Sequence, residues 1–326
     1  MRGGASWVGP PTRTPTIADL LRLLGSGPNG PILLALGPGP LRTRNLTQHI
    51  QHCTPRTVYR HLEELEPLRL VERQSREEAP SHVTYSLTQP LGRDLFHLLE
   101  EVAAPLLGAP PEAENGAMAW ARFSLLAELW ETGLLEHLSS ESRTATELAS
   151  LLRDLSLHQI GHRARRLSAA DLLDERDSRN PGRRYSLSPR ARRSMALVAG
   201  LGRWRRHVIP RGAGLTAAET AMLLRVALPL VRLPQHAGGR LGLSVVARDD
   251  HGETETESLI ATVEQDGAVR CQPDEPEPDT KPSGWARATV RTWLVALLDN
   301  RRDRMRVGGD PALVGACLSQ LHECLR

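Results

Sequence analysis

The stretch Thr54-Pro55-Arg56-Thr57-Val58-Tyr59-Arg60-His61-Leu62-Glu63-Glu64-Leu65 decides the fold. Threonine followed at once by proline is a helix start. The hydroxyl accepts from a backbone N–H left free at the first turn, and proline's fixed φ suits the first helical position, where no N–H is needed. Val58, Leu62 and Leu65 then recur at i, i+4 and i+7, one face of a helix, which assigns them to a core. The same spacing is expected to leave Arg56, Thr57, Arg60, His61 and Glu64 outward. Before this helix, Thr43 to Ile50 reads as a shorter one closed by a turn at His52 and Cys53. After it, Leu70 to Arg73 and Val83 to Leu87 are rich in Val, Tyr, Thr and Leu and flank a polar tip from Ser75 to Ser81, the pattern of a hairpin. A helix from Gln89 to Val102 closes the unit. Two helices around a tight turn, followed by a hairpin, make a winged helix-turn-helix.

The unit recurs. Asn45 to Arg73 runs parallel to Glu147 to Glu175 at a constant offset, matching Leu46 with Leu148, Ile50 with Leu152, Val58 with Ile160 and Leu65 with Leu167. Leu70 and Val71 match Leu172 and Leu173, and the capping hydroxyls match as Thr54 with Ser156. After a wing two residues shorter, Tyr85-Ser86-Leu87 meets Tyr185-Ser186-Leu187, and Arg93 meets Arg193. Self-similarity of this kind marks a structural repeat. The second copy opens on an apolar helix through Phe123, Leu126 and Trp130. Its recognition-type helix turns Ile160, Ala164 and Leu167 inward and His158, Gln159, His162, Arg163 and Arg166 outward. Its wing runs from Asp177 to Arg183, and Ala196 to Val208 forms a further helix.

Charge is divided along the chain. The net charge is only +3 over 326 residues, too little to argue for nucleic acid by itself. Between Ser178 and Ala218, however, there are ten arginines and no acid, an anion-seeking stretch, whereas Asp249 to Asp279 is strongly acidic. Lys281 is the only lysine, so a coding preference for arginine contributes to the count and position must decide. No apolar run approaches the roughly 20 residues of a membrane span. The N-terminus lacks the apolar segment of a secretion signal, and the four cysteines are scattered without a CxxC pair. A cytoplasmic protein with reduced thiols is expected.

The ordered set Thr54-Pro55-Arg56-Thr57-Val58, Leu62-Glu63-Glu64-Leu65, Leu70-Val71-Glu72-Arg73, Ala79-Pro80 and Val83-Thr84-Tyr85-Ser86-Leu87-Thr88 before Gly92 resembles the HxlR family of winged-helix regulators, relatives of MarR. The resemblance implies a bacterial, nucleoid-associated transcriptional regulator. The second copy resembles the family more distantly, keeping the cap, the core positions and Tyr185-Ser186-Leu187 but placing Gly161 inside its helix. No cysteine stands near the N-terminus, where redox-sensing members carry one, so thiol sensing is not carried over. In the remainder, Ala218 to Val231 reads as a helix, Arg240 to Ala247, Glu257 to Glu264 and Gly267 to Cys271 as strands, and Trp285 to Leu298 and Pro311 to Leu325 as helices. With Val307-Gly308-Gly309-Asp310-Pro311 between the last two, this order is similar to the sterol carrier protein fold, which implies an apolar pocket and a possible hydrophobic effector. A purely structural or dimer-forming domain is the alternative.

The expected fold class is α+β: two tandem winged helix-turn-helix domains followed by a small α+β sterol-carrier-like domain. The expected boundaries are a flexible 1–14, then 15–110, 117–210 and 214–326. A helix of ordinary diameter fits the major groove, while its start and the wing touch phosphates. The expected contacts to double-stranded DNA are Arg56, Thr57, Arg60, His61 and Arg76 in the first copy. In the second they are His158, Gln159, His162, Arg163 and Arg166, with Arg179, Arg183 and Arg184 as a phosphate clamp. Two copies in one chain could act as a pseudo-dimer, with recognition helices about 34 Å apart; a homodimer is the other option. His49, His52, Cys53 and His61 invite a zinc reading that their placement on different elements disfavours, and Gly25, Gly27 and Gly30 spell GxGxxG in what reads as a loop rather than a nucleotide-binding turn. Neither metal nor cofactor is expected, and no enzyme motif is present. The alternatives to a regulator are a ligand-binding or protein-interaction protein with winged helices as scaffold, and a tandem winged-helix DNA-repair enzyme.

Overall fold

The computed structural model describes residues 16–50, 53–76, 82–107, 116–177, 182–208, 215–234, 238–248, 254–271 and 281–325. Over those residues the chain forms two compact units, Met1–Ala127 with His207–Pro210 and Glu128–Arg206 with Arg211–Arg326.

The first unit contains α1 (Ile17–Gly25), α2 (Asn29–Leu36), β1 (Leu41–Arg42), α3 (Thr43–His49) and α4 (Pro55–Leu65). It continues with β2 (Val71–Arg76), β3 (His82–Leu87), α5 (Leu91–Leu107) and α6 (Gly116–Glu131), the last counted to Ala127. Thr16 and Asp19 close α1 with a reciprocal capping box. Val58, Leu62 and Leu65 of α4 are fully buried, as are Leu46 of α3 and Leu70 at the start of the hairpin. Burying a side chain of this size contributes roughly 1.5–3 kcal/mol, so this apolar stripe fixes the rotation of α4. The sheet order is β1-β3-β2, with Leu41 opposite Tyr85 and Val71 opposite Leu87. The glycine-containing segment expected as loop is partly helical. Gly30 lies inside α2, where an added Cβ would stand 2.0 Å from the Trp120 ring. Absence of a side chain there is what lets the indole pack against the helix.

The second unit repeats this order: α7 (Leu134–Ser139), β4 (Arg143–Thr144), α8 (Ala145–Leu151), α9 (Leu157–Ala169), β5 (Leu173–Asp177) and β6 (Arg183–Leu187), then α10 (Pro189–Arg193) and α11 (Met195–Val208), the last counted to Arg206. Its sheet order is β4-β6-β5, with Arg143 opposite Tyr185 and Leu173 opposite Leu187. Several details recur between the two sets. Arg69 and Asp171, matched by the sequence offset, both adopt positive φ, 55° and 58°. Thr88 and Ser188 each donate a backbone N–H to the carbonyl of the residue just before the hairpin's first strand, Leu70 and Leu172, at 3.1 Å in both cases. One pairing shifts by a residue. Arg93 donates to the Gly37 carbonyl, and the side chain that reaches the corresponding Ser139 carbonyl is Arg192, at 3.0 Å, not Arg193.

The rest of the unit is a five-stranded sheet carrying helices. The elements are α12 (Ala217–Ala227), a 3-10 turn (Leu228–Leu230), β7 (Gly239–Arg248), β8 (Thr254–Val263), β9 (Val269–Cys271), β10 (Gly284–Thr289), α13 (Val290–Asp299), β11 (Arg306–Gly309) and α14 (Pro311–Cys324). The order is β11-β10-β7-β8-β9, all neighbours antiparallel except β10 with β7. The helix expected over Trp285 to Leu298 is therefore corrected at its start. Residues 284–289 alternate buried and exposed and pair along β7, from Gly284 opposite Leu241 to Thr289 opposite Val246. Pairing on both sides supplies the ladder that outweighs the helix preference of its alanines. The helix begins at Val290, where the Thr289 hydroxyl caps it.

Candidate nucleic-acid interface

In the first unit the geometry of α4 follows from its cap and its core stripe. The Thr54 hydroxyl accepts the Thr57 N–H at 3.2 Å and lies 2.9 Å from the Thr57 hydroxyl, so Thr57 is half-buried and engaged in the cap. Arg56, Tyr59, Arg60 and Glu63 are exposed. Arg56 has no hydrogen-bond or ion-pair partner among the described residues. Tyr59, 41% exposed, was missed from the sequence, although it lies three residues from Arg56 and beside Arg60 on the outward arc. Arg42 and Arg44, at the start of α3, are exposed as well.

His61 does not face outward as expected; it is 3% exposed. Its Nε2 lies 3.1 Å from Arg60 Nη2 and its Nδ1 2.9 Å from Glu64 Oε2. Arginine can only donate and a carboxylate only accept, so Nε2 accepts and Nδ1 donates, which fixes one tautomer. The ring also fills the space beside Gly27, whose φ is +52° and whose absent Cβ would stand 2.8 Å from Nε2. The inward bend of the chain at Gly27 closes over a position that helix periodicity alone assigns to the rim of the exposed face. His61 therefore fixes the side chain of Arg60 and is removed from the expected base-contacting set. Arg76 ends β2, and its side chain lies outside the described residues.

In the second unit, His158, Gln159 and His162 of α9 are exposed. Gln159 is committed to a capping box, its Oε1 accepting the Ser156 N–H at 2.9 Å. The arginines differ from Arg56 in having acids of their own. Glu128 accepts Arg163 Nε at 2.9 Å and stands 3.2 Å from Arg166 Nη1. Arg183 pairs with Glu175 at 3.1 Å, and Arg184 with Glu147 at 3.3 Å and with the Ser142 carbonyl. Arg179 lies outside the described residues. The positive charge of α9 and the β5–β6 hairpin is thus largely compensated inside the unit. Each pair is solvated enough that its stability contribution is about 0–1 kcal/mol, so a phosphate could compete for the same guanidinium groups.

Local hydrogen bonds and burial set the state of the titratable groups. The Glu147 carboxyl is held below the usual range by the Thr144 backbone N–H it accepts, which outweighs desolvation, with Arg184 adding to the lowering. Burial pushes the Cys53 thiol up, although it stands just before a helix, and raises Cys271 and Cys317 to about 12. His49 is engaged with the Asn45 carbonyl at 2.9 Å. Among the described residues, no group of three or more His, Cys, Asp or Glu is arranged to hold a metal ion, and no helix is long and apolar enough to cross a membrane.

Comparison with known proteins falls on the first unit. The model of the HxlR-like helix-turn-helix family matches residues 23–105. The HTH-type transcriptional regulator YodB of Bacillus subtilis (strain 168) is 34% identical over 93 residues, covering 28% of this chain and 82% of the regulator. The crystal structure of diamide-treated YodB from B. subtilis is 35% identical and covers 26% of this chain and 84% of its own, with a TM-score of 0.25. Its reduced form is 33% identical and covers 30% and 92%, with a TM-score of 0.26. The matched segment holds α2 to α5 with their hairpin, the elements that present Arg56 and Arg60, and through it the chain belongs to the HxlR-like helix-turn-helix family.

Proposed function

We propose that this protein regulates transcription by inserting α4 into the major groove of double-stranded DNA, with the β2–β3 wing and the start of α3 on the flanking phosphates. The observation that carries the reading is the exposed face of α4. Arg56, with no acid to satisfy it among the described residues, stands one turn from Arg60, whose orientation is set from behind by His61 and Glu64. A guanidinium held in this way is suited to a bidentate contact with a guanine edge, worth about 1–3 kcal/mol against the wrong base. Arg42 and Arg44 add cations where backbone contacts are made in helix-turn-helix complexes. Membership of a family of transcriptional regulators supports the same conclusion and disfavours catalysis.

The second set of helices and hairpin is read as a divergent second winged helix. Its repeated caps, register and positive-φ residues support that reading. Its internally compensated arginines favour backbone holding over sequence reading, so the chain acts as a pseudo-dimer with unequal halves. The five-stranded sheet with α12 to α14 is read as a sterol-carrier-like effector or oligomerisation module. Genome-wide occupancy mapping of the wild type beside the Arg56→Ala, Arg60→Ala double variant tests the assignment. Loss of discrete sites in the variant is expected. Unchanged occupancy would move recognition away from α4, and loss only on removing Arg163 and Arg166 would assign it to α9.

A further inference from the structure

The second unit contains a cleft of about 640 Å³ between the β4–β6–β5 sheet and the turn that follows α12. The volume lies within the range of small-ligand sites, but the walls are not those of an apolar tunnel. Four arginines line it, Arg176 and Arg192 from one side and Arg232 and Arg270 from the other, against two carboxylates, Glu141 and Asp174. Glu141 is already neutralised by Arg143 at 2.5 Å. Arg176 is exposed and has no hydrogen-bond or ion-pair partner among the described residues. Arg232 spends one nitrogen, Nη1, on the Pro229 and Val231 carbonyls. Arg192 is held by Nη1 alone, donating to the carbonyl of Ser139 at 3.0 Å and of Val226 at 3.1 Å, and burial lowers its pKa to about 10. Arg270 is paired through Nε with Glu264 at 2.8 Å. Arg192 and Arg232, held in place from opposite walls with donors to spare, are matched to the paired oxygens of phosphates and carboxylates.

We propose that this cleft binds a small organic polyanion bearing phosphate or carboxylate groups, and that the bound anion ties the second helix-turn-helix to the C-terminal sheet. Arg192 supplies the link: one nitrogen holds both the end of α7, which leads into β4 and α8, and the carbonyl of Val226 in α12. An anion spanning Arg176 and Arg232 adds a second bridge between the same two parts. The proposal stands apart from the DNA reading, because binding is measured on the free protein.

The test is thermal unfolding and calorimetric titration of the full chain with pyrophosphate and, separately, citrate, against sodium chloride of matched ionic strength. A saturable rise in Tm with one or both anions, at one molecule per chain, is expected. The Arg176→Gln, Arg232→Gln double variant is expected to bind at least tenfold more weakly, with Arg301→Gln, an exposed arginine outside the cleft, unchanged. Pyrophosphate alone would identify the phosphate class, citrate alone the carboxylate class. Equal responses to chloride, or equal binding by wild type and double variant, would overturn the proposal. Should the double variant unfold, Arg270→Gln, on the exposed rim, replaces it with the same expectation.

Discussion

Glu128 is the residue whose change separates α9 from α4 most sharply. Its carboxylate takes Arg163 at 2.9 Å and Arg166 at 3.2 Å, and its side chain is 22% exposed beside arginines at 26% and 51%. Glu128→Gln removes the charge while keeping shape and one acceptor. Because the partners are partly solvated, the stability loss is expected to be on the order of 1 kcal/mol for the two pairs together. That corresponds to roughly 2–4 °C in Tm for a unit of this size. The effect on DNA has the opposite sign. Two guanidinium groups are released, and each new phosphate contact steepens the salt dependence by about 0.9 in log–log slope. If both engage, the slope steepens by about 1.8, which over a fourfold rise in salt is roughly a twelvefold greater loss of affinity. Fluorescence anisotropy with one duplex at several salt concentrations measures this directly. A lower Tm with an unchanged slope would refute the idea that α9 faces the phosphate backbone.

Gly27→Ala is expected to destabilise the first unit by about 1–2 kcal/mol, from the positive φ alone, and to disturb Arg60 through His61; urea unfolding and DNA affinity should fall together. The Glu147 carboxyl is depressed in the folded state, so its contribution is present above the unfolded value of 4.5 and is lost as pH falls through the folded one. Glu147→Gln should therefore melt below the wild type at pH 7, with the gap closing below pH 4.5; a gap independent of pH would contradict the assignment. At pH 8 a thiol titrating at about 12 is ionised to about one part in ten thousand. Cys271 and Cys317 should resist iodoacetamide in the native protein and react after denaturation, as followed by peptide mass spectrometry.

Much of the architecture is written in local chemistry. Val58, Leu62 and Leu65 announce their core face by spacing, and Thr54 and Ser156 announce helix starts because capping is a matter of adjacent residues. What was not legible depends on partners distant in sequence. His61 sits at the edge of the exposed arc, and only the approach of Gly27 turns it into an interior group. The pairing of Arg163 and Arg166 with Glu128, 35 residues before Arg163, has no local signal and appears only in the fold. Trp285-Ala286-Arg287-Ala288-Thr289 suits either period, and its strand state is decided by β7 and β11 on its two sides. The cleft arginines come from four separate elements or turns, so no motif marks them. The resemblance of the C-terminal region implied an apolar ligand and gave no hint of a charged cleft.

The claim that α4 reads DNA is tested most directly by base-preference measurement: selection of duplexes from a random pool by the wild type and by Arg56→Ala, with affinities then taken at fixed salt. The expected result is a defined site for the wild type and relaxed preference at one base pair for the variant, with a loss of about five- to 150-fold on the wild-type site. Identical preferences and affinities for the two proteins would contradict the account.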